Sequence, residues 1–342
     1  IFQQIEIDHY MTSEHLNPAQ AAFNSPFPVM TLYGITREQH SVLCHVHGFL
    51  PYLYVPAPWP SFSPTDVLHF KAVLDNLLKT EERNTKNVTV QSVELVQKQS
   101  IYGFSSVESQ AFLKISLFNP NHMASLKRII ESGIEFAGKV YTLNTYESNI
   151  QHVIRFMIDS RITGMSWIKI NPNHFAVREQ SKRISHCQIE IDVFDWTSLN
   201  PLPLDGEGGS IAPLRILSFD IECSGRKGVF PDPKIDPVIQ IANVIAVHGS
   251  SKSSKIILTL GSCANIVGAE VRSFEEEREL LLAWTQLLQE YDPDVIIGYN
   301  IMNFDFAYLL DRANTLRINS FSFIGRLHDS SSKAKDTHFS SK

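Results

Sequence analysis

Hydrophobic and polar positions follow one rhythm in the first half of the chain and another in the second. Residues 30–35, 41–47 and 52–55 are short β-rich runs punctuated by Gly34, Gly48 and Pro51, and a proline-rich corner follows at 56–64. Val67, Phe70, Val73, Leu74, Leu77 and Leu78 then recur at helical spacing, predicting a helix capped at Thr65-Asp66. Residues 88–96 alternate apolar and polar like a half-buried strand, and 101–117 read as a turn and a further strand. Asn119-Pro120-Asn121 opens a helix over 122–132 that Gly133 closes, and a third amphipathic helix is expected over 148–159. No internal repeat is visible.

Between Trp196 and Pro213 the composition shifts to proline and glycine, including Gly206-Glu207-Gly208-Gly209. No apolar strand leads into this cluster and no helix carrying Lys-Ser/Thr follows it, so it reads as a linker rather than a phosphate cradle. The expected domains are therefore 1–205, a mixed α/β unit, and 206–342. The second unit begins with strands at 214–221, 237–247 and 255–260. Ser273-Phe274-Glu275-Glu276 reads as a capping box opening a helix with Leu280, Trp284, Leu287, Leu288 and Tyr291 on one stripe, stopped by Pro293. Val295-Ile296-Ile297 is a short apolar strand of the kind buried in a parallel sheet, and a last helix runs from Asn303 to Ala313. The order is β-β-β-α-β-α, with the crossover making the last strand parallel to the first.

Length and composition narrow the possibilities. At 342 residues, 43% hydrophobic and 19% charged, the chain suits two domains with real cores, and it has no apolar run long enough to span a membrane. Thirty Lys and Arg less 36 Asp and Glu gives a net charge of −6, so any contact with nucleic acid is local. Cys44, Cys187, Cys223 and Cys263 are too scattered for a disulfide framework or a zinc ligand set, which suits a reducing compartment. Cys44-His45-Val46-His47 holds three zinc-type donors, but the histidines point away from the cysteine on a strand. Lys182-Arg183 and Arg226-Lys227 read as solvated pairs, and Asn87-Val88-Thr89 matters as a glycosylation sequon only in a secreted chain.

The candidate chemistry lies in the second unit. Phe219-Asp220-Ile221-Glu222 puts two carboxylates at i and i+2 on one face of a strand, where they repel unless a cation sits between them; the plain alternative is two solvated acids. Hard oxygen donors at that spacing suit Mg²⁺ or Mn²⁺. About eighty residues on, Gly298-Tyr299-Asn300 ends the apolar strand and Asp305 enters the last helix. The helix dipole alone explains an acid there. If the crossover brings the two strands side by side, however, Asp220, Glu222 and Asp305 share one site at their carboxyl ends.

With these two motifs in place, the chain resembles family B DNA polymerases. Asp220-Ile221-Glu222 and Gly298-Tyr299-Asn300-Ile301-Met302-Asn303-Phe304-Asp305 look like the first and second motifs of the family's 3′→5′ proofreading exonuclease. The flanks, including Gly225-Arg226-Lys227-Gly228 and Asp236-Pro237-Val238-Ile239-Gln240-Ile241, are similar to the delta-type replicative branch. So are His45-Val46-His47-Gly48-Phe49, Ser100-Ile101-Tyr102-Gly103-Phe104 and Thr145-Tyr146-Glu147-Ser148-Asn149 in the first half. The resemblance implies a ribonuclease-H-like exonuclease domain with a mixed sheet behind an α+β N-terminal domain. It also implies Asp220, Glu222 and Asp305 as catalytic metal ligands for two Mg²⁺ or Mn²⁺ ions. Asn300 and Phe304 are candidate DNA contacts by hydrogen bonding and stacking, against the plain reading of a turn asparagine and a core phenylalanine. Primer 3′ ends and single-stranded template, accessory polymerase subunits, a sliding clamp and a nuclear setting follow from the same source. The family's third motif, Tyr-x-x-x-Asp, does not follow Asp305, nor do polymerase motifs. This chain is accordingly expected to be an internal piece of a longer one, with little nuclease activity alone. The rival readings are a non-catalytic nucleic-acid-binding module and an exoribonuclease of the same carboxylate superfamily.

Overall fold

The computed structural model describes residues 1–14, 26–81, 90–100 and 109–334. It is a mixed α/β structure of two principal sheets. The first has seven strands: β1 (Phe2–Thr12), β2 (Phe27–Ile35), β3 (Ser41–Val46), β9 (Trp167–Ile170), β10 (Phe175–Val177), β11 (Ile189–Val193) and β12 (Leu199–Pro201), in the order β10-β11-β3-β2-β1-β9-β12. Beside it, β4 (Tyr52–Pro56), β6 (Gln110–Leu117) and β5 (Val90–Lys98) form a three-stranded sheet. Helices α1 (Pro64–Glu81) and α2 (Met123–Ser132) share its core, burying Phe70, Leu74, Leu78, Leu126 and Ile130. A short hairpin, β7 (Ile134–Phe136) and β8 (Lys139–Tyr141), follows Gly133, whose φ of 113° ends α2. Helix α3 (His152–Ser160) packs Phe156 into the core of the seven-stranded sheet.

The second sheet has five strands, with β13 (Arg215–Cys223) between β14 (Val238–Val247) and β17 (Val295–Ile297), and β15 (Ser253–Leu260) and β16 (Glu270–Phe274) following outward from β14. Strands β13, β14 and β15 are antiparallel neighbours, β16 runs parallel to β15, and β17 runs parallel to β13. Helices α4 (Glu277–Tyr291) and α5 (Asp305–Thr315) join one core with the sheet, centred on Trp284, Phe219, Leu258 and Leu309.

Several helix starts differ from the sequence reading: α3 begins at His152 rather than residue 148 and α5 at Asp305 rather than Asn303, and α4 and α1 differ in their caps. Ser273 caps nothing: it lies in β16 opposite Thr259, and the two hydroxyls are 3.0 Å apart. Here a parallel ladder with β15 outweighs a local cap, and α4 begins at Glu277 without a side-chain cap. The reciprocal cap occurs on α1 instead, where Ser63 Oγ accepts from the Asp66 amide at 3.2 Å and Asp66 Oδ2 accepts from the Ser63 amide at 2.8 Å. The Asn87 sequon and most of the Ser100–Phe104 motif lie outside the described residues.

His45 and His47 each have a carboxylate partner. Parallel pairing of β11 with β3 sets Glu190 3.1 Å from His45 Nε2 and Asp192 2.8 Å from His47 Nε2, and Arg178 donates to both Asp192 oxygens at 2.7 and 2.8 Å. Tyr10 Oη lies 3.2 Å from His45 Nδ1, and burial pushes the His45 pKa down, against the hydrogen bond to Glu190. Burial pushes the Glu190 carboxyl up, but hydrogen bonds from His45, Ser185 and the Ile184 amide outweigh it and hold the group at about 2, below its ordinary 4.5. Glu190 therefore stabilises the fold fully above its ordinary value, and that contribution is lost as pH falls from about 4.5 towards about 2. Glu190→Gln should cost about 3–5 kcal/mol at pH 7, the scale of a broken buried pair, and the gap from wild type in urea unfolding should narrow by pH 3. A gap that does not change with pH contradicts this assignment.

Candidate active site

Strand β13 alternates as its sequence dictates. Leu217, Phe219 and Ile221 enter the core, where the Phe219 ring meets Trp284 and Phe306 at 5.0 Å each, while Asp220 and Glu222 stay exposed on the other face. On its free side β13 pairs with β17 only from Ile216–Val295 to Ser218–Ile297. Beyond that rung the Ile221 amide is taken by a side chain, since Asp305 Oδ1 accepts from it at 3.2 Å. The motif separation of about eighty residues is thereby closed.

The turn between β17 and α5 explains its residue types. A Cβ on Gly298 would stand 2.7 Å from the Phe219 carbonyl and 2.2 Å from Ile301 Cγ2, so only glycine lets the chain leave the strand here. Asn300 adopts φ 54°, the left-handed region that asparagine tolerates. Its carbonyl accepts from the amides of Asn303 and Phe304, and its Oδ1 accepts from Asn303 Nδ2 at 2.9 Å. Phe304 is half-buried, with its ring centroid 5.2 Å from Phe230 and 5.6 Å from Tyr308.

Asp305 is 2% exposed at the first position of α5. Burial raises its pKa above the usual carboxylate range and the charge of Asp220 adds to that, against hydrogen bonds from the Ile221 amide and its own. Asp220 and Asp305 thus feel each other, whereas no contact joins Glu222 to Asp305. Among the described residues, no three His, Cys, Asp or Glu side chains form a cluster able to hold a metal ion. Beside Asp220 the open face of the sheet forms a groove of about 580 Å³, lined by Val244, Lys255, Val267 and the exposed Tyr299.

Other residues around the acids escape the sequence reading. Tyr308 Oη donates to the Asp236 carbonyl at 2.7 Å, and Arg312 forks onto Glu277 at 2.8 and 2.7 Å. Their spacing from Asp305, i+3 and i+7, is the one signal the sequence carries for them. Phe230 has none: it lies in a glycine- and proline-rich loop, 74% exposed.

Comparison with known proteins agrees with this architecture. The sequence pattern of the DNA polymerase family B exonuclease domain matches residues 143–342, more than half of the chain, and the chain belongs to that family. A second pattern, the N-terminal domain of proteins like the DNA polymerase delta catalytic subunit, matches residues 48–124. The DNA polymerase delta catalytic subunits of Glycine max and Bos taurus are 43% and 41% identical over the whole of this chain. That of Schizosaccharomyces pombe is 41% identical over 92% of it. The chain spans about a third of the length of these relatives, 31%, 31% and 28% respectively. In fold it resembles the family B DNA polymerase of Pyrobaculum calidifontis, with a TM-score of 0.61 and 22% identity over 92% of this chain and 32% of that one.

Gly298→Ala should destabilise the second sheet by about 1–3 kcal/mol, the cost of overpacking, and free the Ile221 amide to exchange faster as the turn shifts Asp305 away. An unchanged melting temperature with unchanged exchange contradicts the close approach.

Proposed function

We propose that this chain carries the first acids of a 3′→5′ exonuclease site acting on DNA, in a delta-type replicative polymerase. The observation that carries the reading is Asp305, seated on the Ile221 amide between Asp220 and Glu222. The donor chemistry fits a hard divalent cation. All three groups are carboxylates, two face solvent, and the third, Asp305, is buried where desolvation and the charge of Asp220 disfavour its own. Asp220 and Asp305 would hold Mg²⁺ or Mn²⁺, with Glu222 joining them only as a bound cation draws the three together, two ions in the full site, supplying charge neutralisation at the scissile phosphate and a more acidic water.

The chain's own residues bind and orient. With Asn300 Oδ1 engaged by Asn303, its amino group is left to donate to a nucleotide, and the Phe304 ring beside the acids offers a surface for a terminal base. Unpaired ends enter at the lowest cost, since unstacking a mismatched base requires least energy. Kinship with delta catalytic subunits extends the proposal to DNA synthesis, accessory subunits, a sliding clamp and the nucleus. No helix among the described residues is long and apolar enough to cross a membrane. Residues 1–205 and 206–342 are proposed as the N-terminal and exonuclease domains.

Fluorescence anisotropy with a short single-stranded DNA tests the reading. The chain should bind it more tightly with Mg²⁺ than with EDTA, and Asp220→Ala with Glu222→Ala should erase that Mg²⁺ gain, a loss of about tenfold or more. DNA should be preferred to RNA of the same sequence. A Mg²⁺ effect that survives the double substitution contradicts the site, and equal binding of RNA favours an exoribonuclease.

A further inference from the structure

The loop at residues 224–237 joins β13 to β14, starting two residues past Glu222, and its ends are tied by the Ser224 amide donating to the Pro237 carbonyl at 2.9 Å. At its far end Phe230 lies against Phe304, the residue before Asp305. Helix α5 holds β13 and this loop through one polar stripe at i, i+3 and i+7. Asp305 takes the Ile221 amide, Tyr308 donates to the Asp236 carbonyl at 2.7 Å, and Arg312 Nη1 donates to the Pro233 carbonyl at 3.1 Å. The Arg312 guanidinium is itself fixed by its fork onto Glu277, whose Oε1 also accepts from the Val238 amide at 2.8 Å, where the loop re-enters the sheet. Both side chains of this pair are 9% exposed. Within the loop, Asp236 accepts from the Asp232 amide at 2.8 Å and pairs with Arg226 at 3.4 Å, so the segment is internally tied as well.

We infer that Arg312, locked by Glu277, is a positioning residue for the exonuclease site. It acts through the 224–237 loop, holding Phe230 against Phe304 so that an unpaired DNA end meets a fixed pair of rings beside the acids. The physical case rests on geometry that lysine cannot copy. Three guanidinium nitrogens are used at once, two on the Glu277 carboxylate and one on a backbone carbonyl of the loop, and a single ammonium reaches at most part of this set. A pair whose role was only to join α4 to α5 would have no need of the third bond. The sequence links the same elements, because Asp305 and Arg312 share one face of α5 and any tilt of the helix that releases Pro233 also moves the acid.

The inference rests on the exonuclease reading, and its test separates the two. Arg312→Lys keeps the charge and Arg312→Leu removes it; Phe230→Ala removes the ring through which the clamp acts. Hydrogen exchange needs no DNA: in Arg312→Lys the Ile235 and Asp236 amides should exchange about tenfold faster, while those of Ile241 and Leu258 in the sheet stay as in wild type. Mg²⁺-dependent binding of short single-stranded DNA should weaken about fivefold in Arg312→Lys and in Phe230→Ala. The combined variant should bind no worse than Phe230→Ala alone, since both act on one ring. Unchanged loop exchange in Arg312→Lys, or fully additive losses in the combined variant, overturns the inference. If the loop loosens as expected but wild type itself shows no Mg²⁺-dependent binding, the exonuclease reading fails and takes with it the role given to the clamp. Should Arg312→Leu unfold the chain, Arg312→Lys and Phe230→Ala still decide the matter.

Discussion

Three rungs of parallel pairing, Ile216–Val295 to Ser218–Ile297, determine where Asp305 stands against β13. They are short because β17 is short, and their shortness matters. Had the ladder run on, the Ile221 amide would have had a backbone partner and Asp305 none; because it stops, the acid completes the ladder and is drawn onto β13. A buried amide without an acceptor costs about 1–3 kcal/mol, so the contact stabilises the fold as well as placing a carboxylate. The arrangement sets that gain against the discomfort of an acid that is buried and faces the charge of Asp220.

The same strands meet the seven-stranded sheet at their other end. Ile216 and Val295 pack on a small core of Ile35, Trp167, Ala212 and Leu214, and the Ala212 amide donates to Gln3 Oε1 at 2.7 Å. Just past this seam Arg215 and Arg326 share Asp292 and Asp294, and the Arg326 carbonyl accepts from the His186 amide at 2.8 Å. The strand bearing the first two acids is therefore held at one end by the neighbouring sheet and at the other by α5. Rigid support from both directions suits a site whose groups must be held within fractions of an ångström.

Much of this was legible in the chain, for identifiable reasons. Strand β13 shows because its alternation is strict, and the end of β17 shows because glycine, a turn asparagine and a helix-start acid follow in order. The resemblance to the family rests on those same residues. β1 was not legible, since Gln3 and Gln4 are buried beside each other and break the period-two pattern. Strand β16 was masked by a motif, Ser-x-x-Glu, whose local preference lost to ladder pairing with β15. The charged network of β3 and β11 was hidden because its partners lie about 145 residues apart, so nothing in the sequence pairs His45 with Glu190 or His47 with Asp192. Phe230 and Arg312 belong to the same class: a loop aromatic and a helix arginine become meaningful only when tertiary contacts bring them to Phe304 and Pro233.

The central claim is that the ending of β17 brings Asp305 to Asp220 to make a place for a divalent cation. Diffraction from crystals of the protein soaked in Mn²⁺, collected at a wavelength where manganese scatters anomalously, tests it most directly. The account predicts an anomalous peak within coordination distance of carboxylate oxygens from both Asp220 and Asp305, with the Ile221 amide still bonded to Asp305. Manganese bound elsewhere on the chain, with Asp220 and Asp305 left bare at saturating concentration, would contradict it.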